Sequence, residues 1–136
     1  MLPKVRTPST SPEAYLSVFF SGSDVSRKAG QEALARMYAR KDDRDTPTTW
    51  GTRLAQYDAV CAWGVPDHGK LERVGSIGAP VFIAGGDSDP MILPRYSYLL
   101  AGLVPDAAIK IYPDSAHGFL FQHNAERVFA LRTVVG

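Results

Sequence analysis

The sequence has little of what marks a secreted, disulfide-stabilised or nucleic-acid-binding protein. Cys61 is the only cysteine among 136 residues, so no disulfide can form within the chain. Charge of neither sign dominates, because 15 basic residues face 14 acidic ones and leave a formal net charge of +1. No stripe of Lys and Arg is interleaved with aromatic residues, so we do not expect a nucleic-acid partner.

Long apolar runs are also absent. No stretch approaches the roughly 20 residues that a membrane-spanning helix needs. The N-terminal sequence MLPKVRTPSTSP has no apolar core of the kind found in signal peptides. A single cysteine also suits a reducing compartment. We therefore expect a cytoplasmic protein without a membrane partner.

The first half of the chain has the patterning of helices. Residues 1–10 show no periodicity and are expected to form a flexible N-terminal segment. Ser11 followed by Pro12 is typical of a helix start, and this helix is expected to end before Ser21-Gly22-Ser23. Further helices are predicted from about Asp24 to Arg40, from about Thr49 to Trp63, and around Leu71, Val74 and Ile77.

Apolar periodicity predicts a buried face for each of the first three helices. The predicted buried residues are Tyr15, Leu16, Phe19 and Phe20 in the first helix, Val25, Ala29, Leu34, Met37 and Tyr38 in the second, and Trp50, Leu54, Tyr57 and Cys61 in the third. The aromatic residues Phe19, Phe20, Trp50 and Trp63 are interpreted as packing core, with an apolar substrate pocket as the alternative.

The second half changes to strand, helix, strand. The apolar run Val81–Ala84 stops at Gly85-Gly86, Pro94–Val104 has helical spacing, and Ile109–Tyr112 is a second strand. A crossover helix makes such strands parallel, which predicts an α/β fold. A final helix is predicted after Asn124. Two parallel strands leave sheet faces and edges uncovered, so we expect another chain or a missing part of the fold to cover them.

Acidic and histidine side chains follow both predicted strands. Asp87 and Asp89 come after the first strand, and Asp114 and His117 come after the second. Parallel strands place these loops at one edge of the sheet, where open α/β sheets carry their chemistry. A hydrogen bond from Asp to His fixes the imidazole tautomer and stabilises the imidazolium, as the base of a nucleophilic triad requires. Helix capping by the Asp and a turn at the His form the alternative interpretation.

Other polar residues receive structural interpretations. Asp87 is expected to bond loop amides, Asp114 to form a turn, His123 to be structural and His68 to be solvated. A metal site built from Asp87, Asp89, Asp114 and His117 is a further alternative. It is not expected, because Pro90 and Met91 break the calcium-loop pattern and no second histidine has zinc-ligand spacing.

Two loop motifs resemble the C-terminal half of the α/β-hydrolase superfamily. APVFIAGGDSDPMILP resembles the penultimate strand and acid loop, in which a G-x-x-D pattern, here Gly86 to Asp89, supplies the triad acid. IYPDSAHGFLFQH resembles the last strand and histidine loop, which makes His117 the base. FFSGSDVSRKAGQEALARMYARKDDRDTPTTW is similar to the helical cap. The resemblance implies a cap-like region over residues 11–78 and a C-terminal βαβα segment over residues 79–136.

The sequence departs from this family in one respect. It contains no G-x-S-x-G nucleophile elbow. Ser21-Gly22-Ser23 is the nearest match, but it follows a helix, so Ser21 and Ser23 are interpreted as linker or cap residues.

The resemblance implies part of a hydrolase for an ester or related bond, with Asp89 and His117 as catalytic residues. It would be inactive alone, need no cofactor or metal, and act on a small apolar substrate once the fold is completed. The alternative is a non-catalytic interaction module or pseudo-enzyme fragment, paired with a partner chain or a second copy that covers the open sheet.

Overall fold

The computed structural model describes residues 11–124. Its elements follow the order that the sequence predicts as far as the second strand, but the short helix Phe119–Gln122 lies where the sequence predicts only a loop. The elements are α1 (Pro12–Phe19), α2 (Asp24–Ala39), α3 (Trp50–Gly64), α4 (His68–Gly75), β1 (Val81–Gly86), α5 (Pro94–Leu103), β2 (Ala107–Tyr112) and α6 (Phe119–Gln122). The predicted segment 1–10 and the helix predicted after Asn124 lie outside the described residues. Within residues 11–124, no helix has the length and apolar character needed to cross a membrane.

Strands β1 and β2 form a parallel pair, which confirms the predicted α/β class. Val81 lies opposite Ala107, and Gly86 lies opposite Tyr112. Helix α5 connects the two strands and packs against both of them. The expected end of β1 before Gly85 was wrong, because Gly85 and Gly86 continue the parallel pairing with β2. This extension brings the loop after β1 directly beside the loop after β2.

Side-chain caps set the starts of the first four helices. The side chains of Ser11, Ser23 and Thr49 each accept a hydrogen bond from the backbone amide three residues later. Asp67 accepts from the amides of Gly69 and Lys70 at the start of α4. Such caps satisfy backbone donors that have no partner within the helix, so these local signals fix where each helix begins.

The α1–α2 hairpin, residues 11–39, packs through small and aromatic residues. The predicted face of α1 is confirmed, since Phe20 at its end is buried and the other predicted residues are half-buried. The predicted face of α2 was largely wrong. Its buried residues are Ser26, Gly30 and Ala33, whereas Val25, Met37 and Tyr38 are exposed. Small side chains let α2 approach α1 and α6 closely, so the bulky residues point away.

Helix α3 contradicts the sequence prediction most clearly. None of its residues is buried, and Trp50, Leu54, Tyr57, Trp63 and Cys61 are all exposed. The interpretation of Trp50 and Trp63 as packing core was therefore wrong. The helix has the expected apolar residues, but no described element covers them.

Candidate active site

The loops after β1 and β2 are joined to each other by backbone hydrogen bonds. Beyond the strands, the amide of Asp87 donates to the Tyr112 carbonyl at 3.0 Å, and the amide of Ser88 donates to the Ser115 carbonyl at 2.9 Å. Gly86 permits this approach, because a Cβ atom there would lie 2.3 Å from the Ser115 carbonyl oxygen. The two loops therefore behave as one polar surface at the carboxyl edge of the sheet.

Asp89 and His117 meet on this surface, as their positions after the two strands predict. Asp89 Oδ2 lies 2.9 Å from His117 Nδ1. Asp89 is only 4% exposed, whereas the His117 side chain is 28% exposed. The other carboxylate oxygen, Oδ1, accepts from the amides of Met91 at 2.8 Å and Ile92 at 2.9 Å. The loop thus holds one oxygen and leaves the other for the imidazole.

The environment keeps Asp89 ionised at neutral pH. Burial raises the pKa of Asp89, but hydrogen bonds from the Ile92 amide, the His117 ring and the Met91 amide outweigh burial, so the pKa lies below its ordinary value. An ionised Asp89 can only accept a hydrogen bond, so we assign the proton of neutral His117 to Nδ1. Nε2 is then the basic nitrogen, and no described residue forms a hydrogen bond to it.

The end of α1 lies against the backbone of the histidine loop. The amide of His117 donates to the Val18 carbonyl at 3.3 Å, and the amide of Gly118 donates to the Phe19 carbonyl at 2.6 Å. The Phe19 ring also meets the His117 ring edge to face, with centroids 5.2 Å apart. Sequence reasoning missed these contacts. The apolar face of α1 was visible in the sequence, but its partner was not.

A second polar cluster lies beside the pair and is centred on Asp114, which adopts a left-handed backbone conformation with φ of 51°. Its carboxylate oxygens accept from the hydroxyls of Ser21 and Ser23, each at 2.5 Å. These hydroxyls lower the pKa of Asp114 below its ordinary value. Asp87 accepts from the amides of Asp114 at 3.0 Å and Ser115 at 3.1 Å, so the predicted amide-binding role of Asp87 is confirmed.

His123 is held in a different way from His117. Its Nε2 lies 2.9 Å from the hydroxyl of Ser115, a fully buried residue, and its ring lies 4.8 Å from that of Tyr112. The Ser115 hydroxyl donates its only proton to the Pro113 carbonyl at 2.8 Å. Both contacts of the Ser115 hydroxyl are satisfied together when His123 Nε2 carries a proton and donates it to Ser115, so we assign this tautomer to His123. Ser115 is buried and its hydroxyl proton is bound to the Pro113 carbonyl, so we interpret this serine–histidine pair as a structural contact and not as a nucleophile with its base.

Other polar residues do not join the candidate site. Among residues 11–124, no group of three or more His, Cys, Asp and Glu side chains is arranged to hold a metal ion. His68 is exposed and lines a cleft of about 300 Å³ with Trp63 and Leu71, between the end of α3 and the start of α4.

Comparison with known proteins finds similarity at the level of three-dimensional structure. No family model matches the chain, and no curated protein matches it. An alpha/beta hydrolase fold protein from Chitinophaga pinensis is 34% identical over 89% of this chain, with a TM-score of 0.78, and the match covers 43% of that protein.

Two proteins of Mycobacterium tuberculosis also have similar structures. One, described as the putative non-heme bromoperoxidase BpoC, is 23% identical over 96% of this chain with a TM-score of 0.69, and 46% of it is covered. The other, Rv0554, is 22% identical over 97% of this chain with a TM-score of 0.66, and 45% of it is covered. At these identities the two proteins show the fold alone. The chain spans less than half the length of each of these three proteins.

Proposed function

Because this chain has the fold of the C-terminal half of the α/β-hydrolase superfamily, we propose that it supplies the acid and the histidine of a catalytic triad that cleaves an ester or a related bond. The observation that carries this proposal is the 2.9 Å contact between Asp89 Oδ2 and His117 Nδ1. The acid follows β1 and the histidine follows β2, in the chain order that the superfamily uses.

The pair has the properties that a general base needs. In the proposed mechanism, His117 Nε2 accepts a proton from the nucleophile, or from the water that attacks a covalent intermediate. Asp89 holds the imidazole in the tautomer that leaves Nε2 basic, and its negative charge stabilises the imidazolium that forms. Asp89 is nearly enclosed while Nε2 has no described partner, which supports a proton transfer at Nε2 rather than at Nδ1.

The nucleophile has to come from outside the 136 residues in this proposal. The sequence contains no G-x-S-x-G elbow, and the hydroxyls of Ser21 and Ser23 are bonded to Asp114. Without a nucleophile and oxyanion donors, an acid and a base have no covalent step to assist. We therefore expect the isolated chain to be inactive. A small apolar substrate is proposed because the Phe19 ring lies beside His117, and the cytoplasm is proposed because the chain has a single cysteine.

A chimera tests this function directly. The Chitinophaga pinensis protein is first screened against a panel of esters. Its matching segment is then replaced by this chain, and turnover is measured on an ester for which the screen finds activity. We expect the chimera to hydrolyse the same ester, and His117→Ala or Asp89→Asn to lower kcat/KM by about a thousandfold or more. His68→Ala, which removes an exposed histidine far from the pair along the chain, is the matched control. Full turnover in the His117→Ala chimera would contradict the proposal.

The isolated chain provides a second comparison. It should give no turnover on the same ester. Turnover that disappears in its His117→Ala variant would show that the chain carries a nucleophile of its own.

An interaction module is the second candidate function, and the exposed apolar surface of α3 favours it. Trp50 is 58% exposed, Tyr57 68% and Trp63 67%. Exposed aromatic residues grouped on one helix are typical of a surface that another protein covers. Within residues 11–124, no third strand pairs with the outer edge of either β1 or β2. Size-exclusion chromatography with light scattering tests this candidate. A dimer that Tyr57→Ser weakens would support it, and a compact monomer at high concentration would count against pairing with a second copy.

A further inference from the structure

We propose that Asp114 is a positioning residue, which ties the α1–α2 hairpin to the loop that carries His117 and so fixes the imidazole against Asp89. This inference rests on the proposed function of His117 as a base. It assigns to Asp114 and to Ser21 and Ser23 a role in orienting that base. None of the three contacts the reacting atoms.

The Asp114 carboxylate joins two distant parts of the chain. Ser21 and Ser23 lie in the turn between α1 and α2, 93 and 91 residues before Asp114. Each hydroxyl donates to a different oxygen of the Asp114 carboxylate, so both oxygens are used. The Ser23 hydroxyl also accepts from the Ser26 amide at 3.0 Å and caps α2. One carboxylate therefore holds the turn and the start of α2 together.

The contact closes into a ring of hydrogen bonds. The Ser21 amide donates to the Ser26 hydroxyl at 2.9 Å, and that hydroxyl donates to Gln122 Oε1 at 2.7 Å. Gln122 Nε2 then donates to the Asp114 carbonyl at 3.0 Å. Ser26 is fully buried. This network favours one arrangement of its members, because breaking a link to Ser26 would leave its buried hydroxyl without a partner.

Asp114 is linked to His117, three residues later, through the backbone of the histidine loop. The backbone of Asp114 is fixed on one side, because its amide donates a hydrogen bond to the Asp87 carboxylate. On the other side, the amides of His117 and Gly118 are bonded to the end of α1, which the turn at Ser21 follows directly. The hairpin therefore holds the histidine loop at two places, through the Asp114 carboxylate and through the backbone of His117 and Gly118. Releasing the first contact should loosen the second.

The experiment measures the histidine loop by NMR in the full 136-residue chain. The readouts are hydrogen exchange of the His117 and Gly118 amides and the signal of the proton on His117 Nδ1. Asp114→Gly removes the carboxylate and still permits the left-handed backbone. Ser21→Ala removes one donor from the opposite side of the contact and leaves the histidine loop unaltered in sequence.

We expect Asp114→Gly to accelerate exchange of the Gly118 amide by about tenfold or more, and to weaken the His117 Nδ1 signal. Ser21→Ala should produce the same pattern with a smaller change of about threefold. Ser23→Thr retains a hydroxyl and should stay within about twofold of the wild-type chain. Ser17→Ala is the matched control, because its hydroxyl bonds only the Ala14 carbonyl on the exposed side of α1.

Two results would overturn the proposal. One is unchanged exchange and an unchanged Nδ1 signal in Asp114→Gly. The other is an equal acceleration at the amides of β1 and β2, which would show a general loss of stability without any specific effect on His117. Neither result depends on turnover. An inactive chimera with the selective NMR effect would reject the proposed function alone, and an active chimera without it would reject the role of Asp114 alone.

Discussion

Two histidines that lie six residues apart are held in different ways. His117 bonds the ionised and nearly enclosed Asp89 through Nδ1, and no described residue bonds its Nε2. His123 uses Nε2 to donate to the hydroxyl of Ser115, which is fully buried, and its ring packs beside Tyr112. Residue type and position at the sheet edge are therefore not enough to define a base.

The difference lies in which ring nitrogen remains for chemistry. A carboxylate on Nδ1 leaves Nε2 basic and favours the charged imidazolium. A neutral hydroxyl on Nε2 occupies the nitrogen that a substrate would have to reach. The two arrangements have one structural element in common, because both depend on the loop between β2 and α6. A change in that loop should therefore disrupt both arrangements, whereas the loss of one histidine should leave the other in place.

The largest expected effect comes from Gly86→Ala, which should disrupt both arrangements. The new Cβ would lie 2.3 Å from the Ser115 carbonyl oxygen and 2.5 Å from that of Ala116, and backbone atoms cannot move aside easily. We expect the free energy of unfolding, measured by urea denaturation, to fall by at least about 3 kcal/mol. Gly102→Ala is the control. It lies in α5 with nothing within 4 Å of a new Cβ, and should raise stability by up to about 1 kcal/mol.

Removal of the His123 side chain should lower the free energy of unfolding by a smaller amount and should leave His117 unaffected. His123→Ala removes a hydrogen bond to the buried Ser115 and a ring contact with Tyr112, so we expect a loss of about 1–3 kcal/mol in the free energy of unfolding. The ring signals of His117 in NMR spectra should stay unchanged. His68→Ala, at an exposed position, should change stability by less than about 0.5 kcal/mol. A shift of the His117 ring signals in His123→Ala would show that the two arrangements are coupled.

Local signals explain what the sequence could predict. Ser11 caps its helix because its side chain reaches an amide only three residues away. Asp89 and His117 were predictable as a pair because parallel strands bring the loops at their carboxyl ends to one edge. The order of the elements up to β2, the strand pairing and the position of the candidate pair therefore followed from the sequence, whereas α6 did not.

Contacts between distant segments were not predictable in the same way. Periodicity identifies which residues of α3 share a face, but it does not say what covers that face, and Trp50 and Tyr57 are exposed. In α2 the small residues Ser26 and Gly30 are buried because the neighbouring helices approach closely. The hydrogen bond between Ser21 and Asp114 joins residues that are 93 positions apart, and neither residue lies in a sequence pattern that identifies the other as its partner.

The smallest expected effect concerns Asp89, and its pH dependence distinguishes a charged partner from a neutral one. Asp89→Asn keeps an oxygen for the amides of Met91 and Ile92 but removes the charge that faces His117. We expect a loss of about 1 kcal/mol in the free energy of unfolding at pH 7. The pKa of Asp89 lies below its ordinary value in the folded chain, so the folded state binds fewer protons than the unfolded state in the acidic range.

The stability that the ionised Asp89 contributes is therefore fully present above the ordinary Asp pKa of about 3.9, and is lost as the pH falls through the lower pKa of the folded chain. The difference between the wild-type chain and Asp89→Asn should shrink over this range, because both side chains become neutral. Urea denaturation of the two proteins at a series of acidic pH values measures it. A difference that stays constant would mean that Asp89 acts through the shape of its loop, and that its charge does not stabilise the contact with His117.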